Sequence, residues 1–197
     1  MGKLVVTEFI TVDGVIEDPG GAERFERGGW AFQFDRGAEG DKFKLDEVLA
    51  AEALLLGRIT YEGFAQAWPS MSDKQGFAAK MNSMPKYVVS ATLENPSWSN
   101  TTQIKDDVVG EITALKERTG GDVLVNGSAQ LVRILSQHDL VDEYRLMIFP
   151  VVLGEGKRLF ADGEPPRRLA LHQYKAVGDC LILIYELARE RAAQASA

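Results

Sequence analysis

The amino-acid sequence predicts an α/β fold: a three-layer sandwich around a mixed, mostly parallel sheet that closes in an antiparallel C-terminal hairpin. Three observations predict it. Compact apolar runs alternate with stretches of helical spacing through most of the chain, the pattern of strand–helix–strand units. Two of those runs, Leu54-Leu55-Leu56-Gly57 and Val123-Leu124-Val125-Asn126-Gly127, end in glycine and pass into a helical pattern. The chain closes with two strand-like segments, 169–176 and 180–187, joined at Val177-Gly178-Asp179.

The elements follow in order. Residues 4–10 are β-rich with no breaker and read as the first strand. Residues 11–29, rich in Gly, Asp and Glu, read as a long loop, which in a compact domain is more often functional than idle. Residues 30–35 are aromatic and ambiguous between classes. Residues 41–53 have helical spacing anchored by Phe43, Val48 and Leu49. A short buried strand at 53–56 precedes a helix at 58–67. A helix at 74–84 stops before Pro85. Strands at 86–89 and 101–104 flank a loop. Residues 108–118 are helical up to the Gly120-Gly121 stop. A strand at 122–125, a helix at 128–137 and a long strand at 141–149 follow, then a Gly-rich loop at 150–159. No repeat or linker divides the chain, so residues 1–188 are expected to form one domain. Residues 189–197 read as a frayed polar tail.

Composition narrows the function classes. A chain of 197 residues, 45% hydrophobic and 26% charged, is ordinary for a soluble globular domain. Its net charge of −7 argues against non-specific nucleic-acid binding. One cysteine, Cys180, and two histidines, His138 and His172, make no disulfide and no Cys/His metal site. The N-terminus lacks the h-region of a signal peptide, and no run has the apolar length of a membrane span. The expectation is a cytoplasmic protein with no membrane, nucleic-acid or metal partner.

The two glycine turns carry the chemistry. Each aims a helix N-terminus, with its free N–H groups and positive dipole end, past a strand end. That arrangement suits a phosphate, and two of them suit a dinucleotide. The same turns also occur in α/β proteins that bind nothing.

Several segments together carry a resemblance. Phe9-Ile10-Thr11-Val12-Asp13-Gly14-Val15-Ile16, Leu56-Gly57-Arg58-Ile59-Thr60-Tyr61-Glu62, Val125-Asn126-Gly127-Ser128, and residues 141–160 with Pro150-Val151-Val152-Leu153-Gly154-Glu155-Gly156-Lys157 occur in order. They resemble the reductase domain of the bifunctional riboflavin-biosynthesis deaminase–reductase, a domain similar to dihydrofolate reductase. The likeness spans all but the tail. The deaminase half, with its His/Cys zinc signature, is absent.

The resemblance implies a dihydrofolate-reductase-like fold and NADPH as cofactor. Gly57, Arg58 and Thr60 would lie under the adenosine-side phosphates. Ser90 and Thr92 would bond the adenosine ribose or its 2′-phosphate, and Gly127 and Ser128 the pyrophosphate. Dihydrofolate reductases place a tryptophan five positions before a carboxylate that manages the proton, as Trp30 precedes Asp35 here. Asp35 is therefore the first candidate catalytic residue. Asp13 is the second, in the loop that closes over nicotinamide in the family; capping the Asp13-Gly14 turn is its competing role. Glu17, Trp30 and Phe34 are candidates for the substrate wall. The expected activity is NADPH-dependent reduction of a C=N or C=O bond in a small heterocycle. Dihydrofolate reductase activity and a non-catalytic nucleotide-binding module are the alternatives. A homodimer is expected, with the apolar strand 144–149 contributing.

Overall fold

A computed structural model describes residues 1–160 and 162–188; the tail expected at 189–197 lies outside them. The strands are β1 (Leu4–Thr11), β2 (Ala53–Gly57), β3 (Lys86–Val89), β4 (Thr101–Ile104), β5 (Val123–Val125), β6 (Glu143–Phe149), β7 (Leu169–Val177) and β8 (Cys180–Leu187). The helices are α1 (Gly37–Ala50), α2 (Arg58–Ala67), α3 (Phe77–Ser83), α4 (Val108–Arg118) and α5 (Ala129–Gln137), with short 3-10 turns at Trp30–Gln33 and Trp68–Ser70.

The strands form one eight-stranded sheet in the order β4-β3-β2-β5-β1-β6-β8-β7. β8 runs antiparallel to both its neighbours, and every other pairing is parallel. Strand alternation divides the side chains between two faces. Val5, Leu54 and Leu56 meet Val48 of α1, Tyr61 of α2 and Met81 of α3 on one face. Leu4, Val6 and Leu55 meet Ile112 and Leu115 of α4 and Leu131 and Leu135 of α5 on the other. A third cluster joins Trp30 and Phe149 to Ile182 and Ile184 of β8.

This segregation follows from handedness. Connections stepping toward β4 carry α1, α2 and α3, and those stepping back carry α4 and α5. Right-handed crossovers in opposite directions place their helices on opposite faces. The two sets part at adjacent strands β2, β5 and β1. A crevice opens beyond the C-terminal ends of strands at such a switch point.

Two helices depart from the expected bounds. α1 begins at Gly37, four residues before the sequence reading: Asp35 Oδ1 accepts from Gly37 N–H, and the first turn buries Gly40 rather than an apolar side chain. Its buried stripe also includes polar side chains. Glu47 is buried and accepts from Thr7 Oγ1 of β1 at 2.9 Å, while Lys44 Nζ donates to that hydroxyl at 2.8 Å. Arg145 of β6 extends the network to Glu143 at 2.6 Å and Asp122 at 2.8 Å. α3 begins at Phe77 rather than 74. The Asp73 carboxylate takes the N–H groups of Gln75, Gly76, Phe77 and Ala78 and sets the helix start there. The segment 30–35 resolves into a 3-10 turn followed by extended chain. Cys180 is a buried small hydrophobe, as its apolar surroundings predict.

Candidate active site

The two glycine turns meet at the switch point. β2 pairs directly with β5, so the turns that leave them are neighbours. A Cβ on Gly57 would lie 2.5 Å from Ser128 Oγ and 2.8 Å from Ser128 Cβ. A Cβ on Gly127, whose φ is +54°, would lie 2.6 Å from Thr60 Oγ1. The turns thus interlock: Ser128 fills the space beside Gly57, and Thr60 the space beside Gly127. Gly57, Arg58, Thr60, Gly127 and Ser128 form one group.

Their hydrogen bonding differs. α2 starts with no side-chain cap, so its first N–H groups, at the positive end of the dipole, have no side-chain acceptor. α5 is capped by Ser128, whose Oγ accepts from Leu131 N–H at 3.4 Å. Gly127 N–H donates to Glu8 Oε1 of β1 at 2.7 Å. Burial pushes the Glu8 carboxyl up to about 8, against the lowering effect of that hydrogen bond. The Arg58 guanidinium is half exposed and pairs with Glu62 one turn along α2, at 3.0 Å. Ser90 follows β3, the next strand along, and its Oγ accepts from the N–H groups of Thr92 at 3.1 Å and Leu93 at 2.9 Å. Thr92 is exposed.

A shallow cleft of about 180 Å³ lies at the C-terminal end of β1, lined by Phe9, Ala31, Phe32, Phe34, Asp35, Arg36 and Asp41. Phe9 follows Glu8 on β1, so cleft and glycine turns sit on opposite faces of one strand end. Over the Phe9 ring lie the Arg36 guanidinium at 5.3 Å and Lys44 Nζ at 5.2 Å. Asp35 is fixed at the rim. Its Oδ1 accepts from Gly37 N–H at 2.7 Å, and its own N–H donates to Asp179 Oδ2 at 2.9 Å.

The remaining sequence candidates go elsewhere. The Asp13 carboxylate accepts from Thr11 Oγ1 at 2.6 Å and from Gly154 N–H at 2.7 Å, which ties the loop after β1 to the Gly-rich loop. The Thr11 hydroxyl and these backbone N–H groups hold the Asp13 carboxyl below its ordinary range. Glu17 makes a second tie between the same loops, pairing with Lys157 Nζ and accepting its N–H at 2.9 Å. Trp30 is buried. Its ring packs edge-on to Phe149 at 5.4 Å, and its Nε1 donates to Glu17 O at 2.9 Å. It supports the cleft from behind, while Phe34 lines it directly. Sequence reasoning missed Glu8 and the Thr7–Lys44–Glu47–Arg145 network. The signal for Glu8 was visible, a lone acid inside an apolar strand.

Residues 2–183 match the RibD C-terminal domain. The chain belongs to the RibD C-terminal domain family. It is 31% identical over 163 residues to the uncharacterized protein YyaP of Bacillus subtilis, a match covering 81% of each chain. The crystal structure of a putative riboflavin biosynthesis protein from Shewanella sp. PV-4 superposes with a TM-score of 0.75 at 19% identity, covering 96% of this chain and 100% of that one. Dihydrofolate reductase from Enterococcus faecalis, complexed with NADP(H), superposes with a TM-score of 0.57 at 14% identity, covering 95% and 98%. The fold of this RibD C-terminal family member is therefore dihydrofolate-reductase-like.

Proposed function

We propose that the chain is an NADPH-dependent oxidoreductase that reduces a C=N or C=O bond in a small heterocycle of pterin or pyrimidine type. One observation carries this reading: the Gly57 and Gly127 turns interlock at the switch point, and one of them opens a helix with no side-chain cap. Exposed N–H groups at a helix start suit a phosphate, and the internally bonded turn beside them can border the rest of a pyrophosphate. Gly57, Arg58 and Thr60 would hold the adenosine-side phosphates, Gly127 and Ser128 the pyrophosphate, and Ser90 and Thr92 the ribose or 2′-phosphate. When bound, the nicotinamide supplies a hydride. The protein's share is orientation, a dry wall and a proton. Phe9 and Phe34 supply apolar wall. Asp35, at the rim of the cleft, is the residue assigned to pass the proton to the substrate. Asp13 and Glu17 fasten the two loops that border the site.

The test follows NADPH oxidation by absorbance across a panel of pterins and pyrimidines. Turnover with at least one substrate is expected. Asp35→Asn should leave NADPH affinity intact and slow turnover by ~100- to 10,000-fold, the usual worth of general acid–base help. NADPH binding with no turnover across the panel would favour a nucleotide-binding module.

We propose further that the chain pairs with a second copy through the sheet face of β7 and β8 that α4 and α5 leave uncovered. On this face Leu181, Leu183, Tyr185 and Leu187 are partly exposed, beside Leu171 at 52% and Tyr174 at 70% exposure. β6, whose residues 144–149 are expected to contribute to a dimer, is hydrogen-bonded on both sides, to β1 and β8. Two or three strands at about 4.8 Å spacing and eight residues at about 3.3 Å rise give a flat footprint of roughly 250–400 Å². Its corrugated surface is larger, on the scale that marks an interaction site. The face carries no charge, and an antiparallel strand pair stacks on its own copy about a two-fold axis. Sedimentation should show a dimer that Tyr174→Glu dissociates. A monomeric wild type, or a variant that stays dimeric, contradicts this.

A further inference from the structure

Glu8 is a carboxylate where the fold has little use for one. It shares its face of β1 with Leu4, Val6 and Ile10, all within the main core cluster, and it is 6% exposed. Its one described hydrogen bond reaches the cradle itself, Oε1 accepting from Gly127 N–H at 2.7 Å. Among the described residues no lysine or arginine forms an ion pair with it. The charged groups that act on it are Lys44 and Glu47 of α1 and Glu23 of the loop after β1. Lys44 is committed to Glu47 and Thr7. The other two are acids and add to the unfavourable field.

We propose that Glu8 is a positioning residue for the Gly127 turn, and that its protonation state sets how well this turn receives a phosphate. The inference rests on the NADPH reading above. The neutral carboxyl accepts the Gly127 N–H through one oxygen and places no charge beneath the turn. The ionised carboxylate accepts the same bond but sets a negative charge, inside a poorly solvated sheet, next to the place assigned to the pyrophosphate. Like charges there repel with little screening. Burial pushes the Glu8 carboxyl up to about 8, so the neutral form prevails at neutral pH and the charged form above it. Affinity for a phosphorylated cofactor therefore falls as pH rises through that value. The nucleotide in turn favours the protonated carboxyl.

The experiment is calorimetric titration of NADPH into wild type, Glu8→Gln and Glu8→Leu at about pH 7 and about pH 9.5. Wild type should bind about tenfold more weakly at the higher pH, as expected for one charge near the ligand at intermediate effective dielectric. Glu8→Gln keeps an acceptor for Gly127 and cannot ionise. It should bind equally at both pH values, near the wild-type affinity at neutral pH. Glu8→Leu loses the acceptor and should bind more weakly than Glu8→Gln at both. A wild type without pH dependence, or a Glu8→Gln variant that keeps the wild-type slope, overturns the proposal and leaves the NADPH reading standing. A wild type that does not bind NADPH at either pH overturns both.

Discussion

The turn after β2 and the turn after β5 look alike in sequence and differ in chemistry. Both are an apolar run, a glycine and a helix. At the first, Gly57 has ordinary extended backbone, with φ −78° and ψ 162°, and the helix it opens has no side-chain cap. At the second, Gly127 has φ +54°, Ser128 caps α5, and the Gly127 N–H is already bonded to Glu8. The first turn offers unused donors. The second is internally satisfied and offers its shape, with a buried acid behind it. A glycine between strand and helix is thus two different devices. What distinguishes them is the hydrogen-bond inventory of the first helical turn.

The largest way to sharpen this contrast is the stability of Glu8→Gln. In the unfolded chain the carboxyl ionises near its ordinary 4.5, and in the fold near 8. Between those values the native state keeps a proton the unfolded state has lost. Stability therefore falls as pH rises through that window, and the penalty is complete above about 8. At about 1.4 kcal/mol per pH unit, the full penalty is on the order of 5 kcal/mol. Urea unfolding of wild type and Glu8→Gln should coincide near pH 4 and diverge in favour of the variant toward pH 9. Parallel curves would mean that Glu8 is ionised in the fold.

The next largest effect separates the two glycines by what obstructs a side chain. At Gly57 the obstacle is another side chain, Ser128 Oγ at 2.5 Å and Cβ at 2.8 Å. Gly57→Ala should cost roughly 1–3 kcal/mol through overpacking, and adding Ser128→Gly should restore much of it. At Gly127 the left-handed backbone is an obstacle in its own right, beside Thr60 Oγ1 at 2.6 Å. Gly127→Ala should lose about 1–2 kcal/mol from its left-handed backbone, and adding Thr60→Ala should leave that part unrecovered. Equal rescue at both sites, read by thermal unfolding, would erase the distinction.

The smallest effect on the fold is at Arg58. Its ion pair with Glu62 is surface-exposed and contributes about 0.3–0.5 kcal/mol. A cation in the first helical turn also opposes the dipole. Arg58→Gln should therefore barely move the melting temperature. It should lower NADPH affinity roughly tenfold, because the guanidinium exchanges Glu62 for an adenosine-side phosphate. An unchanged affinity would place Arg58 elsewhere.

Much of this was legible in the sequence, and the exceptions have physical causes. α2, α4, β3, β4 and β8 fall where spacing and breakers put them, because their ends carry Gly, Pro or a capping acid and their buried residues, Lys86 and Lys116 apart, are apolar. α1 started four residues early because its first turn, Gly37-Ala38-Glu39-Gly40, offers no large apolar side chain for a period to register. Asp73 moved the start of α3 by claiming four backbone N–H groups, which no hydropathy pattern reveals. Both glycine turns were visible, but their contact was not, since it depends on β2 and β5 becoming neighbours across almost 70 residues of chain. Trp30 was conspicuous by type, yet its burial against Phe149 depends on a strand more than 100 residues away.

Receipt of the NADPH phosphates by the β2–α2 and β5–α5 turns is tested by an amide chemical-shift titration of the wild-type protein with NADPH at neutral pH. Saturable shifts concentrated on Gly57, Arg58, Thr60, Gly127 and Ser128 are expected. Saturable shifts gathered elsewhere, or none at millimolar nucleotide, would contradict this.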